Sequence, residues 1–304
     1  GIYAARDRFG RTPVILGEKK IDGSLAVTME TAAFPNLDYE VSRELGPGEV
    51  VLMNQDGVEQ KCEPRKNMKI CTFLWVYYGY PASMYEGENV EAVRYRCGEK
   101  LAQADDSEAD VVAGIPDSGT AHAIGYANAA GLPYARPFVK YTPTWPRSFM
   151  PQDQSIRDLV ARMKLIPVQA LIADKRVVFC EDSIVRGTQL RDIIQRVYDY
   201  GAREIHMRPA CPPLVFGCPY LNFSRSRSEL DLAARRAVKE LEGEDDKNLD
   251  EYSNPCSEKY CTMIERIRGR LNLTTLQYQN LDDLLDAVGI PKENLCTFCW
   301  NGVE

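Results

Sequence analysis

A chain of 304 residues is long enough for one large or two ordinary domains with an ample core. Its 37 basic and 44 acidic residues leave a net charge of −7, which argues against a nucleic-acid surface but not against a local basic pocket for an anion. No run approaches the roughly 18 apolar residues of a membrane span and no basic-then-apolar signal opens the chain, so a cytoplasmic protein without a membrane partner is expected. Ten cysteines in such a chain point to a metal or cluster rather than to disulfides.

Residues 1–65 read as antiparallel pieces. Strand character over 1–7 gives way to a turn at Arg8-Phe9-Gly10-Arg11-Thr12-Pro13. Further strands are predicted over 14–17 and 25–29, with Asp22-Gly23-Ser24 turning between them. Leu45-Gly46-Pro47-Gly48 leads into a strand at 50–53 that reverses over 54–57. From about residue 66 the pattern changes. Val90, Val93, Cys97 and Leu101 at helical spacing predict a helix from about 89 to 104. A short buried strand over 111–115 is followed by the loop Pro116-Asp117-Ser118-Gly119-Thr120 and a helix over 121–130 that stops at Gly131.

Residues 140–165 are rich in proline and arginine and carry no sustained period until Ile156. The strand–loop–helix order then repeats. Val177-Val178-Phe179-Cys180 is a continuous apolar run, as suits a strand covered on both faces, and Glu181 and Asp182 stand at its end. A loop of Ser183-Ile184-Val185-Arg186-Gly187-Thr188 opens a helix with Leu190, Ile193, Ile194 and Val197 on one face and Gly201 as its stop. Two such units predict parallel strands joined by crossover helices. Successive amides from Ser183 to Thr188 at a helix N-terminus make a concave anion site, with hydroxyl donors from Ser183 and Thr188 and close approach allowed by Gly187. Glu181 and Asp182 only accept hydrogen bonds, so they suit sugar hydroxyls or a hydrated Mg²⁺ rather than phosphate. Residues 242–261 are acidic and polar, and 275–289 returns to a helical apolar pattern through Leu281, Leu284, Leu285 and Val288. His122 and His206 read as structural.

The stretch Glu181-Asp182-Ser183-x-x-x-Gly187-Thr188 resembles the phosphoribosyl-pyrophosphate (PRPP) signature of type I phosphoribosyltransferases. Upstream, Ala5-Arg6-Asp7-x-x-Gly10-x-x-Pro13-x-x-x-Gly17, Glu30-Thr31-x-x-Phe34 and Pro47-Gly48-Glu49 resemble the latter part of a class II glutamine amidotransferase domain. Together they resemble the amidophosphoribosyltransferase family along essentially the whole chain. The resemblance implies an α/β, type I phosphoribosyltransferase fold over 66–304, preceded over 1–65 by part of an antiparallel, Ntn-type glutaminase domain.

It also implies roles. Pro116, Asp117, Ser118 and Gly119 would form the pyrophosphate loop, with Ser118 near Mg²⁺. Glu181 and Asp182 would hold the ribose hydroxyls and Mg²⁺, and Ser183, Ile184, Val185, Arg186, Gly187 and Thr188 the 5-phosphate. Arg147, Gln154, Arg157 and Lys164 match the family's catalytic loop that closes over PRPP, although its upstream Lys-Asn-Arg-Tyr is here Lys140-Tyr141-Thr142-Pro143. Cys296-Thr297-Phe298-Cys299 alone is ambiguous among zinc, cluster and redox use. With Cys71 and Cys218 it matches the four ligands of the family's [4Fe–4S] branch. Cys256 and Cys261 lie in what resembles an insertion and stay unassigned. The implied reaction takes PRPP and ammonia, drawn from glutamine in the intact enzyme, to phosphoribosylamine in purine synthesis, with purine nucleotides as inhibitors and a homo-oligomer as the assembly. The family's N-terminal cysteine nucleophile has no counterpart, because the chain starts at Gly1 and Cys62 is internal, so glutamine hydrolysis is not expected from these residues. The alternatives are a free-standing transferase using ammonia or a nucleobase, and a non-catalytic PRPP or nucleotide sensor.

Overall fold

In the computed structural model the described residues are 1–140, 165–221 and 229–303, without the side chains of residues 188 and 189. The first part builds two small antiparallel sheets. Strands β1 (Ile2–Ala5), β2 (Ile15–Glu18), β3 (Leu25–Thr28), β4 (Glu40–Glu44), β5 (Val50–Asn54) and β6 (Gly57–Cys62) assemble in the orders β1-β5-β6 and β3-β2-β4. Ala4, Leu16, Leu45, Val51 and Met53 form the apolar cluster between them. Arg6 is buried here because carbonyls take its donors: Leu45 O at 2.6 Å, Gly10 O at 2.9 Å and Thr12 O at 2.9 Å. Its salt bridge to Glu86 at 2.7 Å fastens this turn to the chain that follows.

Next come β7 (Ile70–Cys71), a π-helical turn at Leu74–Tyr78, and the hairpin of β8 (Met84–Tyr85) and β9 (Glu88–Asn89). Helix α1 (Val90–Gln103) starts where the Asn89 side chain accepts from the Ala92 amide at 3.0 Å. Strand β10 (Val111–Gly114), α2 (Thr120–Ala130), the antiparallel pair β11 (Phe138–Lys140) and β12 (Leu165–Pro167), then β13 (Arg176–Glu181), α3 (Thr188–Asp199) and β14 (Glu204–Pro209) follow. The chain continues through α4 (Ala233–Glu242), α5 (Leu249–Tyr252), α6 (Glu258–Leu271), β15 (Thr275–Leu276), α7 (Leu281–Val288), β16 (Leu295–Cys296) and α8 (Phe298–Asn301).

The organising sheet is β10-β13-β14-β15, parallel throughout. Val112, Val178 and Cys180 face a core shared with Val93, Cys97 and Ala123 of α1 and α2. Val111, Val177 and Phe179 face the opposite core with Ile194, Ala237 and Ile267 of α3, α4 and α6. Both faces are thus covered, which is why the strand sequence is a continuous apolar run rather than an alternation.

Two stretches depart from the sequence reading. Residues 242–261, acidic and polar in sequence and resembling an insertion, are not simply a loop, since they contain α5 and the first turn of α6. Acidic residues there pair with Lys259, which contacts both Glu242 and Glu251 and so lets a polar segment hold helical turns. Residues 275–289 are not helical from the start: Thr275 and Leu276 extend the parallel sheet, and the helix begins only at Leu281.

The α1–α2 contact depends on two glycines. A Cβ on Gly98 would lie 1.9 Å from the His122 carbonyl oxygen, and one on Gly125 would lie 2.0 Å from that of Tyr95. Gly98→Ala is therefore expected to force the helices apart and destabilise the fold by about 1–3 kcal/mol or more. A wild-type denaturation midpoint for Gly98→Ala would contradict this close packing. Among the described residues no helix is long and apolar enough to cross a membrane.

Candidate functional site

Both predicted loops meet at the C-terminal edge of the parallel sheet. The Ile115 amide donates to the Cys180 carbonyl at 3.0 Å, drawing the loop after β10 against the end of β13. Gly119 makes that approach sterically feasible, because a Cβ there would sit 2.2 Å from the same carbonyl oxygen. The Pro116–Asp117 peptide is cis. The two loops are joined directly: Ser118 Oγ donates to Glu181 Oε1 at 3.0 Å. Asp117 is exposed and pairs with Lys140.

Glu181 and Asp182 are 8% and 5% exposed. The Asp182 amide donates to Glu181 Oε1 at 3.1 Å, and Ser183 Oγ donates to Asp182 Oδ1 at 2.5 Å. Burial, followed by the adjacent Asp182 charge, pushes the Glu181 carboxyl well above its usual range. Mg²⁺ is commonly held by one or two carboxylates with water and substrate phosphates, and Glu181, Asp182 and Ser118 fit that donor set. Among the described residues no three His, Cys, Asp or Glu side chains converge as a complete single-ion cage, so such an ion would need ligand and solvent oxygens.

After the acids, Gly187 adopts φ of +71°, the left-handed conformation that ends the loop and opens α3. The Ile184 side chain is buried in the core beneath, leaving its main chain for any ligand. The Val185 carbonyl accepts from the Ala233 amide at 2.7 Å, which props the loop on α4. Arg186 is exposed and lies 3.6 Å from Asp231. Arg147, Gln154, Arg157 and Lys164 lie outside the described residues, as does the Thr188 side chain.

Sequence reading missed Arg94 and the wall it supports. Arg94 is 5% exposed and donates to the carbonyls of Trp75, Tyr77 and Gly79, each at 2.9 Å, pinning the π-helical turn. Arg94, Tyr77 and Tyr78 line a cleft of about 720 Å³ with Asp117, Ser118 and Glu30. The turns between β3 and β4 therefore share a cavity with the loop after β10. The only sequence signal for Arg94 is a basic residue among the apolar positions of α1, which reads as a surface residue until its carbonyl partners are known. His122 is fully buried with Nε2 3.1 Å from Val76 O, and burial takes its pKa down to about 4. His206 is also buried, with Nδ1 2.9 Å from Thr275 Oγ1.

The cysteines predicted to act together do converge. Cys71, Cys218, Cys296 and Cys299 line one small pocket with Arg11, Phe73, Tyr220, Leu221 and Trp300. Parallel pairing of β7 with β16 sets Cys71 beside Cys296 in register. Cys299 donates to Cys218, which brings the Cys218 thiol down to about 6, while burial pushes Cys71 up to about 12. A four-thiolate donor set is the kind that a [4Fe–4S] cluster or a zinc ion takes. Cys256 and Cys261 are exposed and apart from this group.

The parallel sheet, its strand–loop–helix units and the preceding antiparallel strands define an α/β fold of the phosphoribosyltransferase class. No family model matches the chain. It is 38% identical over 302 residues to the chloroplastic amidophosphoribosyltransferase of Vigna aconitifolia, covering 99% of this chain and 56% of that protein. It is 34% identical over 301 residues to the amidophosphoribosyltransferase of Mycobacterium tuberculosis, covering 99% and 52%. Among solved structures, the glutamine PRPP amidotransferase of B. subtilis complexed with ADP and GMP superposes with a TM-score of 0.82 at 31% identity, covering 99% of this chain and 61% of that one. A structure described as the allosteric regulatory enzyme of purine biosynthesis gives 0.81 at 30% identity, covering 99% and 59%. Over nearly its whole length the chain is similar to amidophosphoribosyltransferases, and it spans about half the length of the curated relatives it matches.

Proposed function

We propose that this chain carries the synthetic half of an amidophosphoribosyltransferase, joining ammonia to C1 of PRPP with release of pyrophosphate. The reading treats 1–65 as part of a glutaminase domain and 66–304 as the phosphoribosyltransferase domain. The observation that carries it is the Ser118–Glu181 hydrogen bond, which unites the two loops at one edge of the sheet. Main-chain amides of residues 183–188 cradle the 5-phosphate at the start of α3. Glu181 and Asp182 accept the ribose hydroxyls, and the loop 116–119 orients the pyrophosphate. Mg²⁺ held by Glu181, Asp182 and Ser118 would neutralise the departing pyrophosphate. Arg147, Gln154, Arg157 and Lys164 are assigned to closure and leaving-group stabilisation. Neutral ammonia requires no strong base, so the residues act chiefly by alignment and electrostatics.

In the intact protein glutamine would supply the ammonia, and the cleft shared by Glu30 and Ser118 supports a passage between the two parts. Purine-nucleotide inhibition, a homo-oligomer and a cytoplasmic site complete the proposal. The cysteine pocket would hold a [4Fe–4S] cluster through Cys71, Cys218, Cys296 and Cys299, and its contribution would be structural.

The test is pyrophosphate release by the purified chain from PRPP and Mg²⁺ at high pH. Release that requires ammonium is expected; no release with ammonium but turnover with a nucleobase would favour a salvage transferase. Binding without turnover of either acceptor would favour a sensor.

Protonation supplies a further check. A carboxyl whose folded pKa is raised contributes stability below its unfolded value and loses it as pH rises through the folded value. Mg²⁺–PRPP requires the ionised form, so binding should release a proton from Glu181 and tighten as pH rises toward the elevated pKa. Calorimetry in buffers of different ionisation enthalpy should detect that proton. Glu181→Gln should abolish the release; undiminished release would move its source elsewhere.

A further inference from the structure

We propose that Arg11 tunes the cysteine-held cluster and latches the N-terminal strands onto it, an inference that rests on the cluster reading above. Arg11 belongs to the turn between β1 and β2 and is 7% exposed. Its Nη1 donates to Cys296 Sγ at 3.3 Å across 285 residues of sequence. Its carbonyl accepts from the Cys71 amide at 3.0 Å. One residue of the N-terminal segment therefore engages two of the four cysteine positions, once through its side chain and once through its main chain.

The guanidinium lies over two aromatic rings. Its Cζ lies 3.5 Å from the Tyr220 ring centroid and 5.2 Å from that of Phe9. Stacking fixes the direction of the N–H groups and shields them from water, which an ammonium on a flexible stem does not reproduce. The Leu221 amide donates to Cys218 Sγ at 3.3 Å, but that donor is neutral. A cluster bound by four thiolates is electron-rich, and hydrogen bonds and positive charge at its sulfurs stabilise that electron density against oxidation. Arg11 supplies both at Cys296.

The experiment uses the full chain purified anaerobically as wild type, Arg11→Met and Arg11→Lys. Iron and sulfide are measured first; wild type without iron sinks the cluster reading itself, separately from the role of Arg11. With iron present, Arg11→Met should bleach in air roughly tenfold faster, as loss of a charge-assisted hydrogen bond implies. Its terminal Fe–S(Cys) stretching band in resonance Raman spectra should also shift. Arg11→Lys should recover part of the bleaching resistance through its charge but not the wild-type band, because it lacks the stacked fork. Arg11→Met with full iron, wild-type bleaching and an unmoved band would overturn the proposal. Should Arg11→Met fail to load iron, Arg11→Lys decides: a shifted band upholds the role, and wild-type spectra and bleaching refute it.

Discussion

Asp182→Asn is expected to lower PRPP turnover by about 10²–10⁴-fold while leaving the fold intact. The substitution keeps the side-chain volume but removes a charged acceptor, and hydrogen bonds to charged groups contribute about 1.5–3 kcal/mol each. Asp182 is buried at the end of β13 and accepts from Ser183, so its orientation is fixed before ligand arrives. The loss should fall on both PRPP affinity and rate if Asp182 holds ribose and Mg²⁺ as proposed. Titration with Mg²⁺–PRPP beside a thermal melt separates the effects. Unchanged affinity and rate would remove Asp182 from the site.

Arg208→Met should instead act on stability. Arg208 and Asp105 have side chains only 1% and 0% exposed, and Nε and Nη2 meet the two carboxylate oxygens at 2.5 and 2.9 Å. Arg208 also donates to Ser107 Oγ, while Tyr126 Oη donates to Asp105. Burial alone would raise the Asp105 carboxyl, but the hydrogen bonds and charge of Arg208 hold it below its usual range. Removing the cation leaves a buried carboxylate without its main partner, a loss of about 3–5 kcal/mol. The melting temperature should fall by roughly 10 °C. Because the folded pKa is depressed, this stabilisation is present above the ordinary carboxylate range and is lost as pH falls through the lowered value. A fall of less than about 2 °C would mean that the pair contributes no more than an exposed one.

Local sequence carried a good part of the architecture. Strand β13 was legible because a sheet covered on both faces requires apolar residues at every position, and the stops at Gly131 and Gly201 were legible because both take positive φ. Strands β4 and β6 were not. Their sequences, Glu-Val-Ser-Arg-Glu and Gly-Val-Glu-Gln-Lys-Cys, lie at sheet edges and are mostly exposed, so they carry little apolar alternation. The acids of the candidate site were readable from their place at a strand end. Arg94 and Arg208 were not, because nothing local distinguishes a buried arginine from a solvated one; the carbonyl partners of Arg94 lie 15–19 residues away and the side-chain partners of Arg208 lie 101–103. The four cysteines were grouped by family resemblance rather than by spacing, since only Cys296 and Cys299 are neighbours in sequence.

The β7–β16 pairing has a consequence for biosynthesis. Ile70 and Cys71 find their strand partners at Leu295 and Cys296. A ribosome must therefore release nearly all of the α/β part before this two-stranded closure can form. Bringing such distant segments together carries roughly 3 kcal/mol more chain-closure entropy than a ten-residue loop. The parallel sheet can nucleate earlier from β10 and β13, whereas the sulfur-lined pocket must wait for the last strand. A nascent chain stalled before residue 295 should thus expose Cys71 to a thiol reagent, and extending synthesis past Cys299 should protect it.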